Sequence, residues 1–420
     1  MSVAKETLAL KKYFTIHKPE ILPFGIGTDV VVVIPVLADF MIFRTLESLK
    51  ASVGASKSGV EVVVVINHPA DASDNIKRKN SVLSGRLRDI DFGFPLHIIE
   101  LADVDKKIAG VGSARKAGMD AASYFFYKKR SEHGLILSLD ADTVVSENYI
   151  EVITKEFDKD KKLAGASVYY EHLLPVNRKI SNALVEYELH LRYYVDMLRR
   201  VGFPFAFHTI GSAFAVDYKA YVRQNGMPKK QGGEDFYFLN KVMLEGNYCD
   251  ITDTTVFPYG RPTRKTPFGT GVAIHSVISG KDAHFYTYHP DSFEVLSEVA
   301  DAGEFCDDFD CNLFVNTRSS GLQEFLRTIK FCEKIRLIKL NTKDCTTFVK
   351  AYYTWFDGFK AVKMLNFLHS GGYYDKIPVV EAVEMVSGNK LTPLEFLYYF
   401  RQKDKNKPMC LTVDFTVYEK

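Results

Sequence analysis

A mostly parallel mixed α/β sheet flanked by helices, with a helical C-terminal subdomain behind it, is the fold class this sequence predicts. Three observations carry that expectation. Val30–Val36, Val60–Ile66, Leu96–Leu101 and Leu135–Leu139 are short, nearly continuous apolar runs, as in parallel strands buried on both faces. Helical stretches separate some of these runs, so strand and helix alternate as they do in βαβ units. From about Asp291 onward only helical spacing remains.

The elements follow in order. Val30–Val36 is β-branched nearly throughout, and the stretch from about Phe40 to Ala51 places Ile42, Leu46 and Leu49 at helical intervals. Val60–Ile66 and Leu96–Leu101 are the next two buried strands. Gly112–Tyr127 is an alanine-rich helix with a glycine-containing start, and Leu135–Leu139 follows as the central strand. Ala164–Tyr170 reads as a further strand, and Asn182–Arg200 as a long amphipathic helix with Leu184, Tyr187, Leu191, Val195 and Leu198 on one face. Phe203–Val216 is an apolar, aromatic loop and strand. Glu234–Leu244 is a helix opened by Gly232-Gly233. Arg261–Gly271 is too rich in Gly, Pro and Thr for a regular element and reads as a functional loop. Leu322–Leu340, Thr346–Leu368 and Val379–Val386 are helical, and no internal repeat is present. The expected domains are an N-terminal extension over 1–27, a catalytic α/β domain over 28–290 and a helical subdomain over 291–420.

Bulk properties exclude several classes. The 420 residues balance 54 basic against 52 acidic side chains, so no overall field favours nucleic acid or a membrane surface. The longest apolar run, from Val30 to Phe43, is interrupted by Pro35 and Asp39 and is too short to span a bilayer. The N-terminus lacks an apolar signal core. Six cysteines, at 249, 306, 311, 332, 345 and 410, contain no CxxC pair. Reduced thiols and a soluble, cytoplasmic protein are therefore expected.

The chemistry-bearing residues begin with Asp140 and Asp142. Residues i and i+2 leaving a strand point to one side. Two carboxylates thus face the crevice beyond the strand's carboxyl end, where open α/β sheets bind ligands. Hard oxygen donors there suit Mn²⁺ or Mg²⁺ together with a substrate's phosphates. Alone, Asp-x-Asp is more often an acidic turn.

Four segments together resemble the family 2 glycosyltransferases, which have the nucleotide-diphospho-sugar-binding GT-A fold. They are Val30–Pro35, Gly110–Gly118, Leu137–Asp142 and Gly232–Phe238, in the family's order and spacing over roughly residues 28 to 272. The resemblance implies that Pro35 opens the nucleotide pocket. It places Asn67 near the base, where the family commonly has Asp, and brings Gly112 and Arg115 to the nucleotide phosphates. The family usually has Asn where this chain has Lys116. Asp142 becomes the direct cation ligand, with Asp140 reaching the ribose or a metal-bound water. A late histidine, His275 first with His284 and His289 as alternatives, is a candidate third ligand. Asp235 is implied as the general base, with Glu234 as an orienting neighbour or an acceptor contact. Arg261, Arg264 and Lys265 lie on the loop that would close over phosphates.

The activity so implied is inverting, metal-dependent transfer of one sugar from a nucleoside diphosphate sugar, a UDP-sugar first, to a hydroxyl of a saccharide or lipid-linked glycan. Cell-surface polysaccharide biosynthesis is the expected setting. The Gln-x-x-Arg-Trp motif of processive members is absent, and the single Trp, Trp355, sits in a helical segment. A peripheral membrane contact stays open; a nucleic-acid partner is not expected. The alternatives are a sugar nucleotidyltransferase and a catalytically silent nucleotide-sugar-binding module.

Overall fold

The computed structural model describes residues 3–106, 108–262, 269–279, 284–307 and 309–412. The chain forms two compact units. One comprises 1–175, 209–275 and 404–410; the other comprises 176–208, 276–403 and 411–420. This division differs from the one expected. The N-terminal segment belongs to the sheet unit, and the long helix near residue 190 belongs to the helical one.

In the first unit the chain runs α1 (Val3–His17), β1 (Val30–Val36), α2 (Ile42–Ala55), β2 (Val60–Pro69), α3 (Asp74–Asp89), β3 (Leu96–Val104) and α4 (Val111–Lys129). It continues through β4 (Leu135–Ser138), β5 (Thr143–Val145), α5 (Tyr149–Lys159) and β6 (Leu163–Tyr170). After α6 (Arg178–Arg200) of the second unit come β7 (Phe214–Asp217), α7 (Tyr218–Arg223), α8 (Glu234–Val242) and β8 (Asn247–Pro258). Among the described residues the sheet order is β8-β6-β7-β4-β1-β2-β3, with β5 and the short strand Cys410–Leu411 both paired to β8. β3, β2, β1 and β4 are parallel, and β7 runs antiparallel between β4 and β6. This is the mixed, mostly parallel sheet that the apolar runs predict.

Packing follows from small residues at the right places. Gly118 of α4 lies so close to β1 that a Cβ there would sit 2.5 Å from a Val33 methyl. The helix ends at Arg130, whose left-handed backbone (φ 57°) breaks it. Lys116 pairs with Asp120 at 3.1 Å and donates to the Tyr13 hydroxyl at 2.7 Å, and Tyr13 and Tyr221 both donate to Asp120. This buried cluster fastens α1 to α4 and α7 and accounts for Lys116 as a structural residue.

In the second unit, Asn177 caps α6 by accepting from the Lys179 and Ile180 amides. Glu188, fully buried, accepts from Arg192 and from Arg401 at 2.7–2.9 Å. Two expected helices are each broken in two. Lys330 turns left-handed (φ 53°) between Ser320–Thr328 and Phe331–Asn341. Asp357 accepts from the Lys360 amide and starts a new helix, Gly358–Ser370, after Cys345–Trp355.

The expectation of six reduced thiols does not hold. Cys306 pairs with Cys345 and Cys311 with Cys332, with Cα separations of 5.4 and 5.6 Å; Cys249 and Cys410 are free. The helices bring these pairs within bonding reach from 39 and 21 residues apart, which spacing alone does not reveal. The expected cytoplasmic location rested on reduced thiols together with the missing signal core and spanning run, and the pairing removes the first of these grounds. No helix among the described residues is long and apolar enough to cross a membrane. A thiol titration of the denatured, unreduced chain should give two thiols, and six after reduction. Each bridge closes a loop worth about 3–4 kcal/mol, so reduction should lower the melting temperature. Six thiols without reductant would refute the pairing.

Candidate active site

The site lies wholly in the sheet unit, at the carboxyl ends of β1 and β4. β1 pairs with β2 through Val36 but with β4 only through Val33 and Ser138, and the Leu139 amide still reaches the Val33 carbonyl. Pro35, two residues on and facing the same neighbour, has no N–H with which to continue the ladder. The β4 chain therefore parts from β1 there, and Asp140-Ala141-Asp142 forms the turn that follows. Three bonds fix that turn: Thr45 Oγ1 donates to the Ala141 carbonyl (2.9 Å), Tyr259 N to the Asp142 carbonyl (3.0 Å) and Thr143 N to the Asp140 carbonyl (3.2 Å).

Arg115, in the first turn or two of α4, is 3% exposed. Its guanidinium donates to Asp140 Oδ1 with one nitrogen and to Glu234 Oε1 with another. Gly211 makes the room, since a Cβ there would stand 2.5–2.7 Å from the guanidinium atoms. Burial opposes the charge on Arg115, but the Asp140, Glu234 and Asp235 carboxylates outweigh it and hold the group above its ordinary pKa. One buried cation thus joins the Asp-x-Asp turn to the acidic pair that the sequence places far down the chain.

That pair opens α8. Gly233, left-handed at φ 70°, delivers the chain into the helix, and the helix N-terminus favours the two negative charges. Glu234 is buried on Arg115; burial pushes its carboxyl up to about 7, against the pull of Arg115. Asp235 is partly exposed and its Oδ1 accepts from the Phe236 amide at 2.8 Å. Burial raises its pKa as well, with Arg115 pulling the other way.

Other expected site residues have different surroundings. The Asn67 amide donates to the Gly110 carbonyl (3.2 Å), so the side chain assigned to base recognition holds the start of α4. Gly112 donates its N–H to the Lys230 carbonyl (3.3 Å), and a Cβ would lie 2.6 Å from the Pro228 and Lys230 oxygens. Its missing side chain thus serves close packing on the 228–230 backbone, not an open phosphate cradle. Arg261 Nη2 donates to Asp142 Oδ2 at 3.0 Å and also to Asp39 Oδ2. Arg264 and Lys265 lie outside the described residues. His275 sits in the last turn of α9 (Thr270–Ile278). Among the described residues no three His, Cys, Asp or Glu side chains converge as metal ligands, so His275 does not complete a cluster with the two aspartates.

Asp39 was missed in the sequence. An acidic residue in the loop after β1 is the signal that could have found it, because that loop borders the crevice beyond the strand ends. The donors present fit a divalent cation of the Mg²⁺ or Mn²⁺ type. Asp140 and Asp142 offer hard oxygens on a fixed turn, with side chains 38% and 26% exposed, and such ions need only one or two carboxylates beside substrate phosphates.

The fold and site define an α/β protein with two acidic clusters joined at one crevice edge. No protein-family model and no curated protein sequence matches the chain. Among solved structures it is similar to Staphylococcus aureus TarS 1–349 in complex with UDP-GlcNAc (15% identity, 90% of this chain and 89% of that one, TM-score 0.40). It is also similar to the mannosyltransferase PcManGT from Pyrobaculum calidifontis with GDP-Man and Mn²⁺ (14% identity, 96% of each chain, TM-score 0.38). A third is glucosyl-3-phosphoglycerate synthase from Mycobacterium tuberculosis with Mg²⁺ and UDP (12% identity, 69% of this chain and 89% of that one, TM-score 0.34). Likeness at this level leaves the chemistry to the residues themselves.

Two outcomes test the bridge. Arg115→Ala leaves the buried Glu234 carboxylate unpaired and should cost about 3–5 kcal/mol in urea unfolding, with Arg115→Ala/Glu234→Gln recovering part of it. Because folding raises the pKa of Glu234, the folded chain binds the extra proton between pH 4.5 and about 7. Its contribution to stability is present below that window and lost as pH rises through it. Glu234→Gln should therefore flatten the decline in stability between pH 4.5 and 7, and an unchanged slope would refute the shift.

Proposed function

We propose that the protein is a metal-dependent glycosyltransferase that moves one sugar from a nucleoside diphosphate sugar to an acceptor hydroxyl with inversion. The observation that supports this reading is the Arg115 bridge, which ties Asp140 of the candidate cation turn to Glu234, the neighbour of the candidate base Asp235. Sugar transfer needs both: stabilisation of the departing diphosphate on one side of the anomeric carbon and proton acceptance on the other. A nucleotidyltransferase needs the first but has no use for a base aimed at an acceptor sugar.

In this reading Asp142 would hold a divalent cation together with Asp140, and such a cation would supply neutralisation of the charge developing on the diphosphate. Asp235, the more exposed of the acidic pair, takes the proton of the acceptor hydroxyl as its oxygen bonds to the anomeric carbon and the carbon–phosphate oxygen bond breaks. Glu234 positions Arg115 and does not touch substrate. Arg261, Arg264 and Lys265 serve the donor phosphates. The donor is a UDP-sugar in the first instance and the acceptor a saccharide or lipid-linked glycan.

A thermal-shift screen of UDP-, GDP- and dTDP-sugars with Mn²⁺ should show one donor class raising the melting temperature. With that donor, Asp235→Asn should keep donor binding yet lose about 10²–10⁴ in transfer rate. Because the pKa of Asp235 is raised, the acidic limb of the wild-type rate profile should fall above the ordinary aspartate range. Full transfer by Asp235→Asn removes the base assignment, and pyrophosphate release from a nucleoside triphosphate would make the protein a nucleotidyltransferase instead.

A further inference from the structure

Asp142 is engaged by a cation that belongs to the chain itself. A single guanidinium nitrogen, Arg261 Nη2, donates to Oδ2 of Asp142 and to Oδ2 of Asp39. Both residues are held from behind, Asp39 at its carboxylate and Asp142 at its backbone. Asp39 Oδ1 accepts from the Met41 amide (3.1 Å), and the neighbouring Ala38, left-handed at φ 49°, donates its amide to Asn80 Oδ1 (2.8 Å). Asp142 is fixed through its carbonyl to Tyr259 N at 3.0 Å. Arg261 is the least buried partner, its side chain 44% exposed against 16% for Asp39 and 26% for Asp142. As the partner most open to solvent, it can withdraw by rotation of its own side chain.

We propose that Arg261 closes the cation seat from within, gripping Asp39 and Asp142, and that a divalent cation binds by displacing it, with Asp39 as a second carboxylate of the seat. This rests on the transferase reading only in taking Asp142 as the cation's carboxylate. The charges decide the direction of exchange. Two carboxylates carry two negative charges, of which a guanidinium offsets one and a divalent ion both. Arg261 is nearly half exposed, so water can take over its hydrogen bonds and the latch can open. Once released, the guanidinium fork stays beside the seat and matches phosphate oxygens two at a time. The same residue therefore passes from guarding the empty seat to holding the donor's diphosphate, and cation and donor bind cooperatively.

Calorimetric titration of the full chain with MnCl₂, without nucleotide, tests this. Arg261→Met removes the competing charge and should tighten Mn²⁺ binding about ten-fold, within the range typical of coupled sites. Adding Asp39→Asn should abolish that gain. Arg261→Lys keeps the charge and should bind Mn²⁺ as weakly as wild type. Equal or weaker binding by Arg261→Met, or no Mn²⁺ binding by any variant, overturns the latch. Donor hydrolysis measured in parallel separates the two claims. Tighter Mn²⁺ binding without turnover by wild type keeps the latch and sinks the transferase. Turnover by wild type with unchanged Mn²⁺ affinity in Arg261→Met does the reverse.

Discussion

The site depends on one buried guanidinium. Asp140, Asp142, Glu234 and Asp235 bring four carboxylates to one crevice edge, and an ionised carboxylate out of water without a partner costs several kcal/mol. Arg115, bonded at once to Asp140 and Glu234 over sequence separations of 25 and 119 residues, makes that gathering tolerable. Several oddities of the chain become requirements once it is in place. Gly211 cannot carry a side chain because the guanidinium fills the space, and Gly112 cannot because the 228–230 backbone lies on it. Asn67 is spent on holding Gly110 at the head of the helix that bears Arg115.

This dependence also separates the two acidic residues of α8 by role. Glu234 is nearly inaccessible and faces Arg115, so its chemistry is to keep the guanidinium oriented. Asp235 is the one with exposure to meet a substrate. Their raised pKa values have the same origin, burial opposed by Arg115, and on the reading proposed above the partly exposed Asp235 is the one that takes the acceptor's proton.

What could be read in the sequence, and what could not, follows the same physics. β1, β2, β4 and β6 announce themselves because both faces are buried and the runs are apolar throughout. β8 does not: Asn247, Asp250, Thr252, Asp253, Thr254 and Thr255 interrupt it, and its pairing with β6 overrides a poor local pattern. α3 is polar apart from an inner stripe that includes Leu83 and Leu87, too thin a signal to stand out. The breaks at Lys330 and Asp357 are invisible because apolar spacing continues across both. In the site, the motif residues Arg115, Asp140, Asp142, Glu234 and Asp235 were legible as separate pieces. Their junction was not, because a pairing across more than a hundred residues leaves no local trace. Asp39 escaped for the same reason: its significance comes from Arg261, on the far side of the sheet's sequence.

The two arginines of the crevice show how burial alone sets a role. Both pair with carboxylates of the Asp-x-Asp turn, through the same chemical group. Arg115 has almost no contact with water, so breaking its pairs would strand charges inside the fold, and it behaves as part of the framework. Arg261 is nearly half exposed; water can take over its hydrogen bonds, and leaving costs little. A permanent cation behind Asp140 and a removable one before Asp142 amount to an asymmetric site, closed on the protein side and exchangeable on the solvent side. On the reading proposed above, an ion-and-diphosphate ligand arriving from solvent displaces Arg261 and leaves Arg115 in place.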